Sequence, residues 1–354
     1  MMEKVKDLDR IPFSEVEMTV KSYFPAFGPV AVGAAELTTP ITPRENFMAL
    51  KKGQTPLWVP MNADQAIYHP SFLPDNRARR QGGPDYYGVE WVYVPEAGGS
   101  MVRPGNPFMD DANDWEKLVK FPDIRSFDWD AANREGKDRY NPDETRAASG
   151  TILNGFFERL IAFMDFQYAA VAMIDDEQKD ACKALFWRLS EFYKTIVDCF
   201  IEYYHIDFLT FHDDWGSQRA PFFSLDTVEE MLVPAVKNLV DYAKSKDLYV
   251  DMHSCGKNDM LIQAYLDVGI DTWTGQTMCD KETLYEQYGD RITLGIEPET
   301  VAEDAPLDEV YAAAERFCDK YVGADKAPVF CNIRKSHPKM REVMYEMSRK
   351  RLNP

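Results

Sequence analysis

Short apolar runs alternate with long amphipathic segments from Thr151 onward, and this pattern constrains the fold more than any other feature of the chain. The long segments, about 177–204 and 228–246, have the spacing of helices, whereas the short runs have the length and composition of buried strands. Strands that alternate with helices form a parallel sheet. The sequence therefore predicts an α/β fold, specifically a TIM (β/α)8 barrel, which accommodates 354 residues in one domain. The predicted strands lie at 208–211, 249–253, 272–274, 292–296 and 329–333.

The chain before this regular part divides into an extension and the start of the barrel. Thr42 followed by Pro43 and Glu45 is typical of a helix N-terminus, and this helix is predicted to continue through Lys52. The apolar run at 56–61 is the predicted first barrel strand. Residues 70–142, rich in Pro, Gly, Asp and Asn, are predicted to form long loops over the barrel mouth. We therefore assign residues 1–41 to an N-terminal extension and residues 42–354 to the barrel domain.

The composition excludes several classes of function. A formal charge of −19 repels phosphate backbones, and no stretch gathers Lys and Arg with interleaved aromatic residues, so we expect no nucleic-acid partner. No run approaches the ~18 apolar residues of a membrane span, and Met1 to Arg10 lack the apolar core of a secretory signal. We therefore expect a soluble, cytoplasmic protein with no membrane partner. Six cysteines are too few for a disulfide framework in this length, which leaves them as core residues, ligands or nucleophiles.

Polar or reactive side chains follow the predicted strands. In a parallel barrel the carboxyl ends of the strands meet at one rim, where barrel enzymes place their catalytic groups. The sequence therefore predicts an active site at this rim. The residues that follow the strands are His212, Asp213 and Asp214, then His253 and Cys255, and finally Gln276, Glu297 and Asn332.

His253 and Cys255 lie two residues apart at the end of one strand, so their side chains are expected on the same face of the sheet. An imidazole beside a thiolate suits Zn²⁺ better than Mg²⁺ or Ca²⁺, and a catalytic zinc takes three protein ligands. We predict Cys331, on the last strand, as the third ligand, with Cys279 as the alternative. A His-x-Cys pair also arises by chance, and a buried Cys often only packs. Gly256, which permits a sharp turn beside a ligand, favours the metal site.

Three carboxylates are the candidate catalytic groups. Asp251 shares the face of His253 and is predicted to orient its imidazole, although it equally fits a residue that fills the barrel. Asp214 is predicted to face the pocket as a proton donor, a proton acceptor or a substrate anchor, with a helix cap, a solvated loop or an ion pair as the alternatives. Glu297 is the third candidate, and a plain turn residue before Pro298 is the alternative reading of that position.

Trp58, Trp215 and Gln276 are predicted to bind the substrate. The two indoles would form an aromatic wall of the pocket, although core packing explains most of an aromatic content of 13%. Gln276 follows a predicted strand at the same rim as the metal ligands.

At these residues the sequence resembles the uroporphyrinogen decarboxylase superfamily, and in particular its branch of corrinoid-dependent methyltransferases. The resemblance extends from about residue 42 to 351 and includes Asp-Asp-Trp-Gly-Ser-Gln at 213–218 and His-Ser-Cys-Gly at 253–256. It implies a TIM barrel and, as in the methyltransferase members, a zinc ion bound by His253, Cys255 and Cys331. The other matching segments lie at 42–47, 56–60, 157–160, 295–298 and 328–331.

The decarboxylase branch of this superfamily differs from the chain just after the predicted first strand. Its members bind a substrate rich in carboxylates through an Arg-Gln-Ala-Gly-Arg motif, whereas residues 61–66 here read Met-Asn-Ala-Asp-Gln-Ala. The nearby Arg77, Arg79 and Arg80 stand in another context. Porphyrinogen decarboxylation is therefore the weaker alternative.

The resemblance to the methyltransferase branch implies an O-demethylase methyltransferase of anaerobic metabolism. In such a reaction zinc would polarise a small methyl donor, here a methoxylated aromatic compound, and cob(I)alamin would accept the methyl group. We assign no segment of the given sequence to corrinoid binding, so we expect a partner corrinoid protein to supply the cobalt. A thiol methyltransferase of the coenzyme M type would use the same zinc and stays open as an alternative. The sequence also leaves a homodimer open.

Overall fold

Small antiparallel sheets and one helix surround the start of the main sheet. The computed structural model describes residues 10–24, 34–70, 72, 82–97, 99–323 and 325–353. Strands β1 (Val20–Tyr23) and β2 (Ala35–Leu37) pair antiparallel, and helix α1 (Pro43–Lys51) precedes strand β3 (Gln65–Tyr68). Strands β4 (Gly83–Pro84), β5 (Glu90–Val94) and β6 (Gly99–Val102) form an antiparallel sheet.

Helices and strands then alternate along the rest of the described chain. Short helices come first, namely α2 (Trp115–Leu118), α3 (Trp129–Glu135) and α4 (Lys137–Tyr140). The regular part comprises β7 (Ala147–Ile152), α5 (Phe157–Ala172), α6 (Lys179–Tyr204), β8 (Phe208–His212), α7 (Leu225–Met231), α8 (Val233–Ser245), β9 (Tyr249–Ser254), α9 (Ile262–Val268), β10 (Thr272–Gly275), α10 (Lys281–Tyr288), β11 (Thr293–Ile296), α11 (Leu307–Tyr321), β12 (Val329–Cys331) and α12 (Met340–Leu352).

The parallel strands form one curled sheet in the order β12-β11-β10-β9-β8-β7-β3. Met61, just before β3, forms an isolated parallel bridge with Cys331, and the Cys331 amide donates to the Pro60 carbonyl at 2.8 Å. The chain from Pro60 to Tyr68 thus contacts both edges of the sheet. Helices α6, α8 and α10 pack against β7, β9 and β11. The α/β fold of the TIM type is therefore confirmed, with seven strands assigned to the sheet in the described residues.

The predicted first strand at 56–61 is not a regular strand: its end pairs with the sheet through the bridge of Met61 to Cys331, and within the described residues the first regular strand of the sheet begins at Gln65. In the middle of this segment, the side chain of Asn46, on α1, forms the hydrogen bonds that a neighbouring strand would otherwise form. Its Oδ1 accepts from the Leu57 amide at 2.7 Å, and its Nδ2 donates to the Trp58 carbonyl at 3.0 Å. These buried backbone groups are therefore satisfied without a neighbouring strand.

Helix α1 closes the amino-terminal end of the barrel. It begins after Thr42, which caps it as predicted. Phe47 projects from α1 onto the rings of Phe208, Tyr249 and Phe330, at centroid distances of 5.1, 6.0 and 6.2 Å. These aromatic residues fill the interior of the barrel at the starts of β8 and β9 and in β12. The carboxyl-terminal end of the strands is therefore the end left for a substrate.

The described part of the predicted extension packs against the last helix. Glu17 is buried and accepts hydrogen bonds from Nε and Nη2 of Arg349, both at 2.9 Å. The Tyr345 hydroxyl donates to the same carboxylate at 2.7 Å. A buried ion pair therefore ties this segment to α12.

The region predicted to form long loops, 70–142, contains the β4–β6 sheet and helices α2–α4 in its described parts. Asp85 of this region pairs with Arg159 of α5 at 2.9 Å, and both side chains are buried. The antiparallel sheet is thereby tied to the barrel. The arginines at 77, 79 and 80 lie outside the described residues.

Within the described residues, none of the helices combines the length and the apolar character that crossing a membrane requires.

Candidate metal centre

Two histidines face each other at the carboxyl ends of β8 and β9. His212 and His253 are register partners on these neighbouring parallel strands. Their rings lie parallel, with centroids 5.1 Å apart and an angle of 12° between the planes. Phe208 and Tyr249, four residues earlier on each strand, point into the barrel, so the period-two alternation directs both imidazoles inward as well.

His253 is held in one orientation by the backbone of the next strand. Its Nδ1 donates to the Thr274 carbonyl at 2.5 Å, and its Nε2 lies 3.5 Å from Cys255 Sγ. Burial, followed by the neighbouring charge of His212, lowers the pKa of His253 to about 3, so the ring is neutral at physiological pH. A neutral imidazole with Nδ1–H fixed to a carbonyl presents the lone pair of Nε2, which is the arrangement of a metal ligand.

His212 contacts two carboxylates. Its Nδ1 lies 2.8 Å from Glu158 Oε2 and 2.5 Å from the Leu153 carbonyl, and its Nε2 lies 3.2 Å from Asp214 Oδ1. Burial is the largest single influence and lowers the pKa of His212, but the charge of Glu158, the hydrogen bonds with Cys255 and Glu158 and the charge of Asp214 together outweigh it, so the pKa is well above the usual value. The charges of His212 and Glu158 thus compensate each other within the site.

Cys255 completes the group at the first turn after β9. Its backbone amide donates to Asp214 Oδ1 at 2.8 Å, which fixes the turn. Burial raises the pKa of its thiol. One ligand atom each from His212, His253 and Cys255 lies within 4.8 Å of the others, and Glu158, His212 and Asp214 form a second such group that shares His212.

The donor set fits zinc. Two imidazole nitrogens and one sulfur match the preference of Zn²⁺, and three protein ligands leave a coordination position for a substrate. The hydrogen bond from His253 to the Thr274 carbonyl supplies the outer support that metal-bound histidines usually have. The residues present therefore suit a catalytic zinc ion.

The structure does not bring Cys331 to His253 and Cys255. Phe330 packs inside the barrel against Phe47, so the neighbouring Cys331 faces the surrounding helices, where it is fully buried. Cys279 is closer in the chain to the site, but its thiol donates to the Gly256 carbonyl at 3.3 Å. Among the described residues, the cluster of metal-ligating atoms contains His212 and neither of these cysteines.

The predicted catalytic carboxylates occupy different places. Asp214 lies in the site, between His212 and the Cys255 amide. Asp251 accepts from Thr274 Oγ1 at 2.9 Å, and burial raises its pKa to about 7. Because the carbonyl of Thr274 holds His253, Asp251 supports the imidazole through this threonine. Glu297 directly follows β11 at the same rim, where its carboxylate pairs with Lys281.

The two predicted substrate-binding tryptophans lie in the core instead of the pocket. Trp58 is 1% exposed and its indole donates to Asp64 at 3.1 Å. Trp215 is fully buried, donates to Asp213 at 2.9 Å and stacks on the ring of Tyr265. The N–H group of each indole thus has a hydrogen-bond acceptor inside the protein. Gln276 accepts a hydrogen bond from the Gly256 amide at 2.9 Å and therefore supports the turn after Cys255.

Gly256 is required by the geometry of this turn. Its φ is +94°, and a Cβ at this position would collide with the backbone of Gly216 in the loop after β8. Gly256→Ala is expected to lower the free energy of unfolding by about 3 kcal/mol, since backbone strain and overpacking add. Gly269→Ala is the matched control: its φ is +77° but no atom lies within 4 Å, so only about 1 kcal/mol of strain is expected. Urea unfolding measures both, and equal losses would contradict the steric argument.

Sequence reasoning placed His212 at the predicted rim and Glu158 in the resembling segment 157–160, but it assigned neither residue a role in the site. The available signal was position: His212 and His253 each end a strand, and neighbouring parallel strands of a barrel bring their ends together.

Comparisons with known proteins support the fold. No family model matches the sequence, and no curated protein matches it. A methyltransferase from Methanosarcina mazei has a similar structure, with a TM-score of 0.59 and 14% identity over 87% of this chain and 98% of that chain. A GH18 chitinase, ChiB, from Flavobacterium johnsoniae aligns with a TM-score of 0.34 and 10% identity, over 69% of this chain and 84% of the chitinase. A sugar phosphate isomerase/epimerase from Parabacteroides distasonis aligns with a TM-score of 0.30 and 11% identity, over 70% and 78% of the two chains. The similarity to the first of these establishes that this chain has the same type of fold.

Proposed function

We propose that this protein is a zinc-dependent methyltransferase that moves a methyl group from a small donor to the cob(I)alamin of a partner corrinoid protein. The donor we propose is a methoxylated aromatic compound. The observation that carries the proposal is the cluster of His212, His253 and Cys255 at the open end of the barrel. The fold shared with the Methanosarcina mazei methyltransferase and the resemblance of segments 213–218 and 253–256 to corrinoid-dependent methyltransferases support it.

In this proposal each residue of the site has a separate role. His212, His253 and Cys255 would hold the zinc ion, which as a Lewis acid stabilises negative charge on the substrate oxygen that loses its methyl group. The Thr274 carbonyl keeps His253 in the required orientation. Asp214 fixes the Cys255 turn through the backbone amide and is the carboxylate placed to exchange a proton with the substrate oxygen.

The reaction balances without a further reagent. The bond between the methyl carbon and the ether oxygen breaks, and both of its electrons stay on the oxygen of the aromatic product. The cobalt of cob(I)alamin supplies the electron pair for the new bond to carbon and becomes methylcob(III)alamin. The phenolate then takes up a proton.

The test is a methyl-transfer assay with the zinc-loaded protein, free cob(I)alamin and a panel of methoxylated benzoic acids and phenols. Formation of methylcob(III)alamin, followed by its absorbance, is the expected result, and it should stop when a chelator removes the metal. Transfer from methylcobalamin to a thiol, without ether cleavage, would favour the thiol methyltransferase instead. Full activity in the metal-free protein would overturn the proposal.

A further inference from the structure

A cleft of about 370 Å³ lies at the carboxyl-terminal rim of the barrel, the rim that also carries the candidate metal centre. The loops that follow β10, β11 and β12 form its walls. Cys279 belongs to its lining, and the thiol of this residue donates to the carbonyl of Gly256, the residue after Cys255. A small molecule in the cleft therefore lies next to the turn that carries the proposed zinc ligand.

The carboxylates of the cleft are already engaged. Glu297 pairs with the buried Lys281 at 2.5 Å and also accepts from Asn332. Glu299 forms two hydrogen bonds with Arg316 at 2.8 and 2.6 Å. The remaining acidic side chains are also occupied, since Glu282 pairs with Lys320 and Asp280 caps helix α10.

One arginine of the cleft keeps its hydrogen-bonding capacity. Arg334 approaches Glu297 only to 3.7 Å, and within the described part of the chain no hydrogen bond from its guanidinium is found. Its side chain is 49% exposed. Lys335 lies beside it on the cleft wall. Two positive groups therefore face a cleft whose negative charges are compensated by other partners.

The guanidinium also lies at the same end of the barrel as the metal centre. Arg334 follows β12 as Cys255 follows β9, and both strands belong to one parallel sheet. A planar guanidinium with free N–H groups binds a carboxylate through two parallel hydrogen bonds. On a protein with a formal charge of −19, such a local positive site is needed to attract an anion.

We propose that Arg334 binds an anionic group of the substrate, a carboxylate, and thereby places the other end of the molecule at the turn of Cys255. This inference rests on the proposed function and narrows its substrate class to small methoxylated acids. Lys281 contributes by neutralising Glu297, so that this carboxylate does not repel the incoming anion. Lys335 adds positive charge at the mouth of the cleft.

The test compares two probes of equal shape, 4-methoxybenzoate and its neutral amide 4-methoxybenzamide, by calorimetric titration of the zinc-loaded protein. Wild type is expected to bind the acid about tenfold more tightly than the amide, the value of a partly exposed charge-assisted pair. Arg334→Gln should bind both probes equally. Arg291→Gln removes the same charge at the opposite end of β11, where Arg291 is exposed, and should keep the preference.

Equal binding of the two probes by wild type, or no binding of either, would overturn the inference. A preference for the acid that survives in Arg334→Gln would do the same. These outcomes are distinguishable from failure of the proposed function. An acid preference that depends on Arg334, without any methyl transfer to cob(I)alamin, would leave the anion site standing and remove the methyltransferase. Equal methyl transfer from the acid and the amide would support the methyltransferase and remove the anion site at Arg334.

Discussion

Cys255→Ala is expected to lower kcat/KM for methyl transfer by about 1000-fold, because loss of the metal removes several kcal/mol of charge stabilisation at the reacting oxygen. The side chain is partly buried and its sulfur lies 3.5 Å from His253 Nε2. Its backbone amide, which binds Asp214, is unchanged by the substitution. The variant should therefore fold, which circular dichroism and the unfolding midpoint of the metal-free protein would verify.

Cys199→Ala is the matched control for this variant. Cys199 is buried in α6, away from the site, so its replacement should cost stability but change kcat/KM by less than about twofold. A Cys255→Ala protein that is folded and retains more than about a tenth of wild-type activity would show that this thiol is not part of the reactive centre.

Arg349→Met is expected to lower the free energy of unfolding by about 3–5 kcal/mol, because it leaves the carboxylate of Glu17 buried without its cation. The guanidinium is fully buried and forms two hydrogen bonds with Glu17. The Tyr345 hydroxyl would remain as a partner but supplies no charge. Urea unfolding of the metal-free protein measures the loss.

Arg351→Met, two residues further along the same helix, provides the comparison. Its partner Asp319 is 62% exposed, so this surface pair should contribute at most about 1 kcal/mol. Adding Glu17→Gln to Arg349→Met should restore part of the lost stability, since the unpaired charge is then gone. Similar losses in Arg349→Met and Arg351→Met would contradict the role of the buried pair in holding the N-terminal segment to α12.

The parts of the fold that sequence reasoning predicted depend on local signals. The alternation of helices and strands after Thr151 follows from side-chain periodicity, and the start of α1 follows from Thr42, Pro43 and Glu45, which lie within one helical turn. The rim of polar residues followed from the topology, because parallel strands place their carboxyl ends together. The prediction of His253 and Cys255 as ligands has the same basis.

The parts that were missed depend on contacts between distant residues. The segment at 56–61 has the composition of a strand, but the side chain of Asn46 takes the backbone hydrogen bonds of Leu57 and Trp58. The direction of Cys331 is set by the register of β12, in which Phe330 occupies the inward position. The pairing of His212 with His253 needed the register of β8 against β9. None of these follows from neighbouring residues in the chain.

The zinc content of the purified protein tests the central claim most directly, with His212→Ala and Cys331→Ala measured beside wild type. Cys331 faces the helices, whereas His212 lies in the cluster of ligand atoms. After dialysis against a weak chelator, wild type and Cys331→Ala should retain about one zinc per chain, and His212→Ala should lose most of it. Zinc that is kept in His212→Ala but lost in Cys331→Ala would contradict the proposed centre.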